Sequence, residues 1–257
     1  MSYRTYKYRK KYGQNFLINK DIARNEIEYC GITNKDIVLE IGPGKGILTK
    51  ILVEKAKKVI AIEIDKNLYN NLKKTILDKN IILINNDVLK INLNNIPKFN
   101  KIVSNLQFHI SLPITIKILK YDFNKAVLIY QKEFAERMIS KVGEKNYSRL
   151  SVLIYYKSFC KILEIIPKIN FSPIPKIDSS IVELIPRKTP PFYLKNEAFF
   201  FELTKNLFNY KRKKIQNNLK KHYNIDLKNI PYKNNRIGEI TPEEIGKLSN
   251  ILYDQIN

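Results

Sequence analysis

The stretch DIVLEIGPGKG, residues 36–46, decides the fold of this chain. Its first half is apolar and typical of a buried β-strand, and three glycines then follow at alternate positions, Gly42, Gly44 and Gly46. A glycine loop after the first strand of an α/β domain lets a ligand approach the backbone closely. The stretch therefore predicts an α/β domain that binds a ligand where this strand ends.

Strand-like segments alternate with helical segments after this loop. The predicted strands are KKVIAIEID (57–65), NIILINNDVL (80–89), NKIVSNLQF (100–108) and KAVLIYQ (125–131). This alternation predicts a parallel sheet with helices on both faces. Two later segments, SVLIYYKSFCKILEIIP (151–167) and SSIVELIPR (179–187), are predicted as strands that close the sheet edge.

The pattern changes after a proline-rich break, RKTPPF, at residues 187–192. Beyond it the segments EAFFFELTKNLFNYKRKKIQNNLKKHY (197–223) and TPEEIGKLSNILYDQI (241–256) are purely helical in character. Thr241 is a suitable N-cap, with Pro242 at the first helical position and Glu244 three residues after the cap. We expect a catalytic domain over residues 1–187, with a basic N-terminal arm at 1–13, and a helical domain over residues 188–257.

The charge of the chain indicates a polyanionic partner. The chain carries 46 Lys and Arg against 24 Asp and Glu, a net charge of +22. A genome rich in A and T favours Lys over Arg, but it does not explain the shortage of acidic residues. Nucleic acid is the first interpretation and an acidic membrane surface the second.

Other classes of protein are less compatible with the composition. No apolar run approaches the roughly 18 residues that a membrane-spanning helix needs, and the N-terminus lacks the apolar core of a secretory signal. We expect a cytoplasmic protein, with an organellar location left open. The cysteines Cys30 and Cys160 and the histidines His109 and His222 are too far apart in sequence to predict a metal site.

The polar residues at the predicted strand ends indicate a nucleoside cofactor. Ile47 stands where a dinucleotide-binding loop has its third glycine, which argues against NAD. Glu63 can accept hydrogen bonds from both ribose hydroxyls, and Asp87 can accept one from an adenine amine while Val88 packs on the ring. Each acidic residue alone is equally typical of a helix cap or a solvated turn. The glycine loop, Glu63 and Asp87 follow three successive predicted strands. Because no Walker motif is present, these three features together favour S-adenosylmethionine as the cofactor.

The end of the fourth predicted strand, IVSNLQFHIS (102–111), is compatible with methyl transfer to an adenine. The N6 amine of adenine is a poor nucleophile because its lone pair is delocalised into the ring. Two acceptors, the Asn105 side-chain oxygen and the Leu106 carbonyl, can bind its two N–H groups and free the lone pair. Phe108 can stack on the base, which must be unpaired or flipped out. The simpler interpretation is a polar turn after a strand.

Seven motifs in order make the chain resemble the KsgA/Erm family of rRNA adenine N6,N6-dimethyltransferases, and within it the small-subunit, KsgA-like branch. They are GQNFLIN, VLEIGPGKGILT, AIEID with NDVL, NLQFHIS, YQKEFAERM, YSRLSV and FSPIPKIDSSIV. The resemblance implies a Rossmann-like S-adenosylmethionine-dependent methyltransferase sheet with a small all-helical C-terminal domain. It also implies dimethylation of two adjacent adenosines in a hairpin loop near the 3′ end of small-subunit rRNA, during ribosome biogenesis.

The resemblance further implies roles for individual residues. Phe171 stands where the family has a second aromatic ring against the target adenine, so that Phe108 and Phe171 are expected to sandwich the base. The expected partners are small-subunit rRNA and the immature small subunit, and we expect a monomer. The residues expected to bind the cofactor are Gln14, Asn15, Leu17, Gly42, Gly44, Glu63, Ile64, Asp87, Val88 and Asn105.

The chain departs from the family at two positions. Gln107 replaces the proline of the family's catalytic motif, and Phe108 replaces its tyrosine. Loss of the proline frees φ and adds a backbone N–H. We therefore expect a less preorganised loop and a lower rate, with the second methyl transfer in question.

Basic residues from three parts of the chain are expected to form an RNA-binding track. The simpler interpretation is a solvated surface. If the track exists, phosphate contacts supply affinity, while RNA shape and an unpaired adenine supply specificity. The predicted residues are Arg9, Lys10, Lys11, Arg149, Lys211, Arg212, Lys213 and Lys214.

Two other functions stay open at this point. A ribosome-assembly factor that binds RNA with weak or no methyl transfer is favoured only by the Gln107 replacement. An Erm-type enzyme that methylates large-subunit rRNA is the other, although QKEFAERM and YSRLSV favour the KsgA-like branch.

Overall fold

The computed structural model describes residues 14–256. Its strands are β1 (Phe16–Leu17), β2 (Ile37–Ile41), β3 (Lys58–Glu63), β4 (Ile81–Asn85), β5 (Lys101–Asn105), β6 (Lys125–Gln131), β7 (Ser158–Ile166), β8 (Phe171–Ser172) and β9 (Ser179–Pro186). Its α-helices are α1 (Lys20–Cys30), α2 (Ile47–Lys55), α3 (Lys66–Thr75), α4 (Ser111–Ile118), α5 (Lys132–Ile139), α6 (Arg149–Lys157), α7 (Glu197–Phe208), α8 (Ile215–His222) and α9 (Pro242–Ile256).

Seven strands form one sheet in the order β4-β3-β2-β5-β6-β9-β7. The five strands from β4 to β6 run parallel, and β9 pairs antiparallel with β6. Strand order reverses between β2 and β5, and open α/β sheets bind ligands at the carboxyl ends of the strands beside such a reversal. The predicted Rossmann-like α/β fold is confirmed.

Local capping fixes the helices on this sheet. Helix α1 begins after Asn19, whose side chain accepts from the backbone of Asp21 and Ile22, and it ends at Gly31 with φ of 64°. Helix α3 begins after Asp65, whose carboxylate accepts from the next turn in the same way. The apolar faces of these helices and of the strands form one core under the sheet.

The chain divides into two compact units, residues 14–135 with 159–186, and residues 136–158 with 187–256. The expected first domain, 1–187, also contained residues 136–158, and this part of the boundary is wrong. Tyr147, Val152 and Tyr156 belong to an aromatic-rich core with Phe200 and Leu203. The contacts of residues 136–158 therefore assign them to the helical unit.

The helical unit differs from the predictions in two segments and agrees with them at a third. SVLIYYK lies within helix α6 and is not a strand, and Ser148 and Ser151 form a reciprocal capping box at the start of this helix. The segment 197–223, predicted to be purely helical, contains two helices with a turn between them at residues 209–214. Thr241 caps α9 as predicted, since its hydroxyl accepts from the Glu244 N–H and the Glu244 carboxylate accepts from the Thr241 N–H.

Over residues 14–256, no helix combines the length and the apolar character needed to cross a lipid bilayer.

Candidate active site

Two adjoining pockets lie at the carboxyl ends of β2 to β5, where the strand order reverses. The open space over them, about 480 and 680 Å³, includes solvent at the mouth of each pocket. Gly42, Glu63 and Gln107 line both pockets, so the two form one continuous site. Of the expected cofactor residues, the first pocket is lined by Gln14, Asn15, Leu17, Gly42, Gly44, Glu63 and Asn105, and the second by Gly42, Glu63, Ile64, Asp87 and Val88.

Glycine is required in this loop for two reasons, the positive φ of its backbone and the room around its Cα atoms. Gly42 and Gly44 have φ of 66° and 60°, in the left-handed region that disfavours other residues. A Cβ at Gly42 would meet no atom within 4 Å and would therefore occupy open space in the site. A Cβ at Gly44 would lie 3.1 Å from the ring of Phe16. The loop thus lets a ligand approach the backbone, as predicted from its sequence.

Glu63 braces this loop from the end of β3. Its side chain is 1% exposed, with Oε2 accepting from the Gly44 N–H at 3.0 Å and Oε1 accepting from the Asp65 N–H at 2.9 Å. Burial raises the pKa of Glu63, and the two backbone N–H groups act in the opposite direction. Each carboxylate oxygen keeps a second lone pair for a ligand hydroxyl. The bracing role was not predicted from the sequence.

Asp87 combines a structural contact with a place in the pocket. Its Oδ1 accepts from the Leu89 N–H at 2.9 Å and so caps the turn that follows β4. Val88, the next residue, is buried beneath the second pocket, and Ile64, the residue after β3, lines the same pocket. The structure therefore brings Asp87, Val88 and Ile64 together, while Asp87 also has the turn-capping role considered for it.

The N-terminal segment adds a hydrogen-bond donor to the first pocket. Gln14 is 6% exposed, and its buried Nε2 atom has no partner within residues 14–256. A buried amide without a partner carries a cost that a polar ligand can relieve. The same pocket contains the open glycine backbone, so these residues fit the amino-acid end of S-adenosylmethionine.

Asn105 and Leu106 leave two oxygens available at the end of β5. Asn105 donates from Nδ2 to the Asn15 carbonyl at 3.2 Å, which turns Oδ1 away from that contact. Leu106 donates its backbone N–H to the Ile129 carbonyl at 3.3 Å. No donor within the described part of the chain binds Asn105 Oδ1 or the Leu106 carbonyl oxygen. Both residues line the site, and their binding of an adenine amine stays a prediction.

The expected aromatic sandwich is not formed. Phe108 is half-buried in the short 3₁₀ turn Phe108–Ile110, and it is not among the residues that line the two pockets. Phe171 is 1% exposed because β8 pairs with β1, with Phe171 opposite Leu17, and this pairing directs the ring into the core. Phe171 is therefore a core residue in this structure and does not face the site, contrary to the expectation.

Gln107 adopts the backbone conformation of the residue it replaces. Its φ is −66°, within the range of about −65 ± 15° that proline imposes. The loss of proline therefore leaves φ at this position unchanged, while its effect on the freedom of the loop stays a prediction. Its side chain lines both pockets, and His109 and Ile110 line the second, none of which was predicted.

Two buried carboxyl groups beneath the site were also missed. Glu26 in α1 and Glu40 in β2 are buried, with the Ser104 backbone beside the Glu26 carboxyl group and Thr49 beside that of Glu40. Burial raises the pKa of Glu40 to about 8, and it raises that of Glu26 well above its usual value. The sequence around Glu40, DIVLEIG, and around Glu26, RNEIEYC, does not distinguish these two buried glutamates from exposed ones.

The predicted RNA-binding residues differ in their availability. Lys211 donates to the carbonyls of Tyr147 at 2.6 Å and Lys145 at 3.2 Å, so its ammonium has internal partners. Arg149 is half-buried, and desolvation lowers its pKa. The remaining members Arg212, Lys213 and Lys214 are exposed, whereas Arg9, Lys10 and Lys11 lie outside the described residues.

Comparisons with known proteins agree with this geometry. A family model described as ribosomal RNA adenine dimethylase matches residues 5–254. A protein of Thermococcus sibiricus named probable ribosomal RNA small subunit methyltransferase A is 41% identical over 256 residues, 95% of this chain and 91% of the relative.

Two crystal structures share the fold. A dimethyladenosine transferase from Plasmodium falciparum has a TM-score of 0.77 and 31% identity, and the match covers 91% of this chain and 95% of that one. The 23S rRNA methyltransferase ErmE has a TM-score of 0.69 and 25% identity, with 94% of this chain and 100% of that one covered.

Proposed function

Because the chain belongs to the ribosomal RNA adenine dimethylase family, we propose that it dimethylates N6 of two adjacent adenosines in a hairpin loop near the 3′ end of small-subunit rRNA, during ribosome biogenesis. It is an S-adenosylmethionine-dependent methyltransferase that acts on rRNA. The small subunit is favoured by the 41% identity to a relative named for it, against 25% for the large-subunit enzyme ErmE.

Residues of both pockets would hold the cofactor, which supplies an electrophilic sulfonium methyl group when bound. Gln14 and the glycine-loop backbone would bind its amino-acid end. Glu63 would accept from the ribose hydroxyls through its remaining lone pairs. Asp87 would accept from the adenine amine, with Ile64 and Val88 against the ring. Asn15, Leu17 and Asn105 would close the site.

The single observation that carries the proposed reaction is the pair of acceptor oxygens at residues 105 and 106. Asn105 Oδ1 and the Leu106 carbonyl would accept the two N–H groups of the target amine, draw its lone pair out of the ring and orient it for in-line attack. Phe108 would stack on the base. The residues supply orientation and electrostatic stabilisation, so the reaction needs no strong general base.

A second candidate is an RNA-binding assembly factor without effective methyl transfer. The replacement of proline by Gln107 is the observation that favours it. The proline-like φ of Gln107 counts against it, because the backbone at this residue already has the conformation that proline imposes.

Incubation with methyl-labelled S-adenosylmethionine and separate immature small and large subunits tests the proposal. We expect label on two adjacent adenosines of small-subunit rRNA, identified by mass analysis of the digested RNA. Label on the large subunit would support an Erm-type enzyme. RNA binding without transfer of the label would support the second candidate, an assembly factor without effective methyl transfer.

We also propose that the exposed cations Arg212, Lys213 and Lys214 contact rRNA phosphates. Each phosphate contact neutralised by a cation should contribute about one unit to the slope of log Kd against log salt. Lys213→Gln should therefore lower this slope by about one unit. Lys228→Gln, at an exposed lysine of the same unit, is the control, and an unchanged slope for Lys213→Gln would remove this residue from the track.

The remaining features of the partner and location stay proposals. We propose that the enzyme acts as a monomer, without a metal ion, on the immature small subunit, in the cytoplasm. Within residues 14–256 no group of three His, Cys, Asp or Glu side chains has the arrangement of a metal site. Sedimentation of the purified protein, activity in the presence of a chelator, and cell fractionation test these points.

A further inference from the structure

We propose that Lys117 is a positioning residue for the part of the site that binds the adenine of the methyl donor. This inference rests on the proposed use of Asp87 and Val88 as the adenine-binding residues. Lys117 lies in the last turn of α4 and lines neither pocket. It acts through the turn at residues 87–91.

The turn at residues 87–91 is held from its two ends. At the first end, Asp87 accepts three backbone N–H groups: its carbonyl accepts from Lys90 at 2.9 Å and Ile91 at 3.0 Å, and its Oδ1 accepts from Leu89. At the other end, the Lys117 ammonium donates to the carbonyls of Leu89 at 3.0 Å and Ile91 at 2.5 Å. Val88, which lines the second pocket, lies between these two anchors.

The charge of Lys117 suits this position. The carbonyls of a helical turn point away from its start and carry partial negative charge, which a cation stabilises. Burial lowers the pKa of Lys117, and the nearby Asp87 carboxylate opposes that shift. Hydrogen bonds from a charged group contribute more than neutral ones, so loss of this ammonium should loosen the turn.

Lys117 also joins two parts of the site. Helix α4 begins at Ser111, directly after the 3₁₀ turn Phe108–Ile110 that follows the acceptor oxygens. The same helix is fixed to β6, since the hydroxyls of Thr115 and Tyr130 are 2.7 Å apart. Lys117 therefore ties the adenine-binding turn to the element that supports the target base.

Binding of S-adenosylhomocysteine, measured by calorimetry without RNA, tests the proposal on the full chain. Lys117→Met should raise the Kd by about tenfold, because two charge-assisted hydrogen bonds are lost. At saturating donor, kcat on the small subunit should stay within about twofold of the parent enzyme, so that the effect appears in KM. Lys117→Arg, which keeps a charged donor, should recover part of the affinity.

The control is Lys120→Met, which removes an exposed charge just beyond the same helix and should leave the Kd unchanged. Since Lys117 acts through the turn that Asp87 anchors, Lys117→Met and Asp87→Ala should be strongly non-additive. An unchanged Kd in folded Lys117→Met would overturn the proposal. The proposal would also be overturned if Lys117→Met lowered kcat and thermal stability together and left the Kd unchanged. That result would show that Lys117 has a purely structural role.

The proposed function can fail separately. If the parent enzyme binds S-adenosylhomocysteine but labels no rRNA, the methyl-transfer proposal fails while the binding test of Lys117 still stands. If the parent labels small-subunit rRNA and Lys117→Met binds as tightly as the parent, only the positioning role fails.

Discussion

On the methyl-donor side of the site, formed by residues 42–46, Glu63 and Asp87, carboxylate oxygens already hold backbone N–H groups. On the base side, formed by residues 105–110, two oxygens have no donor within the described chain. The first arrangement fixes a loop before any ligand arrives. The second leaves acceptors for a group that only the substrate brings. Changes on the two sides should therefore affect different kinetic constants.

The largest effect is expected from Asn105→Ala on the base side. Loss of one of two acceptors should lower kcat by about 10²–10³-fold, the usual cost of removing one preorganised polar group that stabilises a transition state. The Kd for S-adenosylhomocysteine should change by less than about threefold, because most donor contacts remain. Single-turnover labelling of small subunits measures the first and calorimetry the second. Asn94→Ala, at an exposed amide of the same unit, is the control.

The opposite pattern is expected from Glu63→Gln on the methyl-donor side. The amide keeps the shape of the carboxylate but turns an NH₂ group toward either the Gly44 or the Asp65 N–H. The lost acceptor and the lost charge should raise KM for the donor by about 50-fold, with a smaller change in kcat. Steady-state kinetics at varied S-adenosylmethionine measure both. A fall in kcat alone would contradict the division of labour between the two sides.

A third prediction concerns the buried support under the methyl-donor side. The pKa of Glu40 is about 8 in the folded protein and that of an unperturbed glutamate about 4.5, so the folded state keeps a proton that the unfolded state releases between these values. Its contribution to the free energy of unfolding is therefore fully present below about pH 4.5 and falls as pH rises to about 8.

Glu40→Gln replaces the protonated acid by a neutral group of the same shape and removes this dependence. Between about pH 5.5 and about pH 7.0, the parent should lose about 2 kcal/mol of stability relative to the variant. Urea unfolding at both pH values measures the difference. Glu26 and Glu63, whose pKa values are also raised by burial, are unchanged in both proteins and largely cancel. A parent and variant with the same pH profile would show that Glu40 is ionised in the folded protein.

The smallest effect is expected from Gln107→Pro on the base side. Because Gln107 already has a φ that proline accepts, the replacement should stabilise the loop by about 0.4–1 kcal/mol through the unfolded state. The rate should rise by no more than about threefold. Thermal melting and single-turnover labelling measure the two changes. A destabilised variant would mean that the Gln107 N–H or side chain has a role that the backbone conformation does not reveal.

Much of the methyl-donor side could be predicted from the sequence. The glycine spacing, Glu63 and Asp87 follow successive strands, and parallel strands bring their carboxyl ends to one edge. The bracing of Gly44 by Glu63 could not be predicted, because it depends on which backbone N–H groups face the carboxylate after folding. The proline-like φ of Gln107 could not be predicted, because it is set by the surrounding turn and not by residue type alone. The expected loss of preorganisation stays a prediction.

The errors have a common physical origin in tertiary contacts. Phe171 has the sequence context of a substrate-facing ring, and its burial depends on the pairing of β8 with β1. SVLIYYK is rich in β-branched and aromatic residues, yet it is helical because its apolar side chains pack with α7 and α9. Lys117 has no local signal, since its partners lie 26 and 28 residues away in sequence.

The central claim is that the oxygens of Asn105 and Leu106 bind the amine of an extruded adenine. A crystal structure with a short hairpin RNA and a non-reactive analogue of S-adenosylmethionine tests it most directly. We predict that the adenine N6 atom lies about 3 Å from both Asn105 Oδ1 and the Leu106 carbonyl oxygen, with Phe108 against the ring. An adenine bound in the site with its N6 atom beyond hydrogen-bond distance of both oxygens would contradict the account.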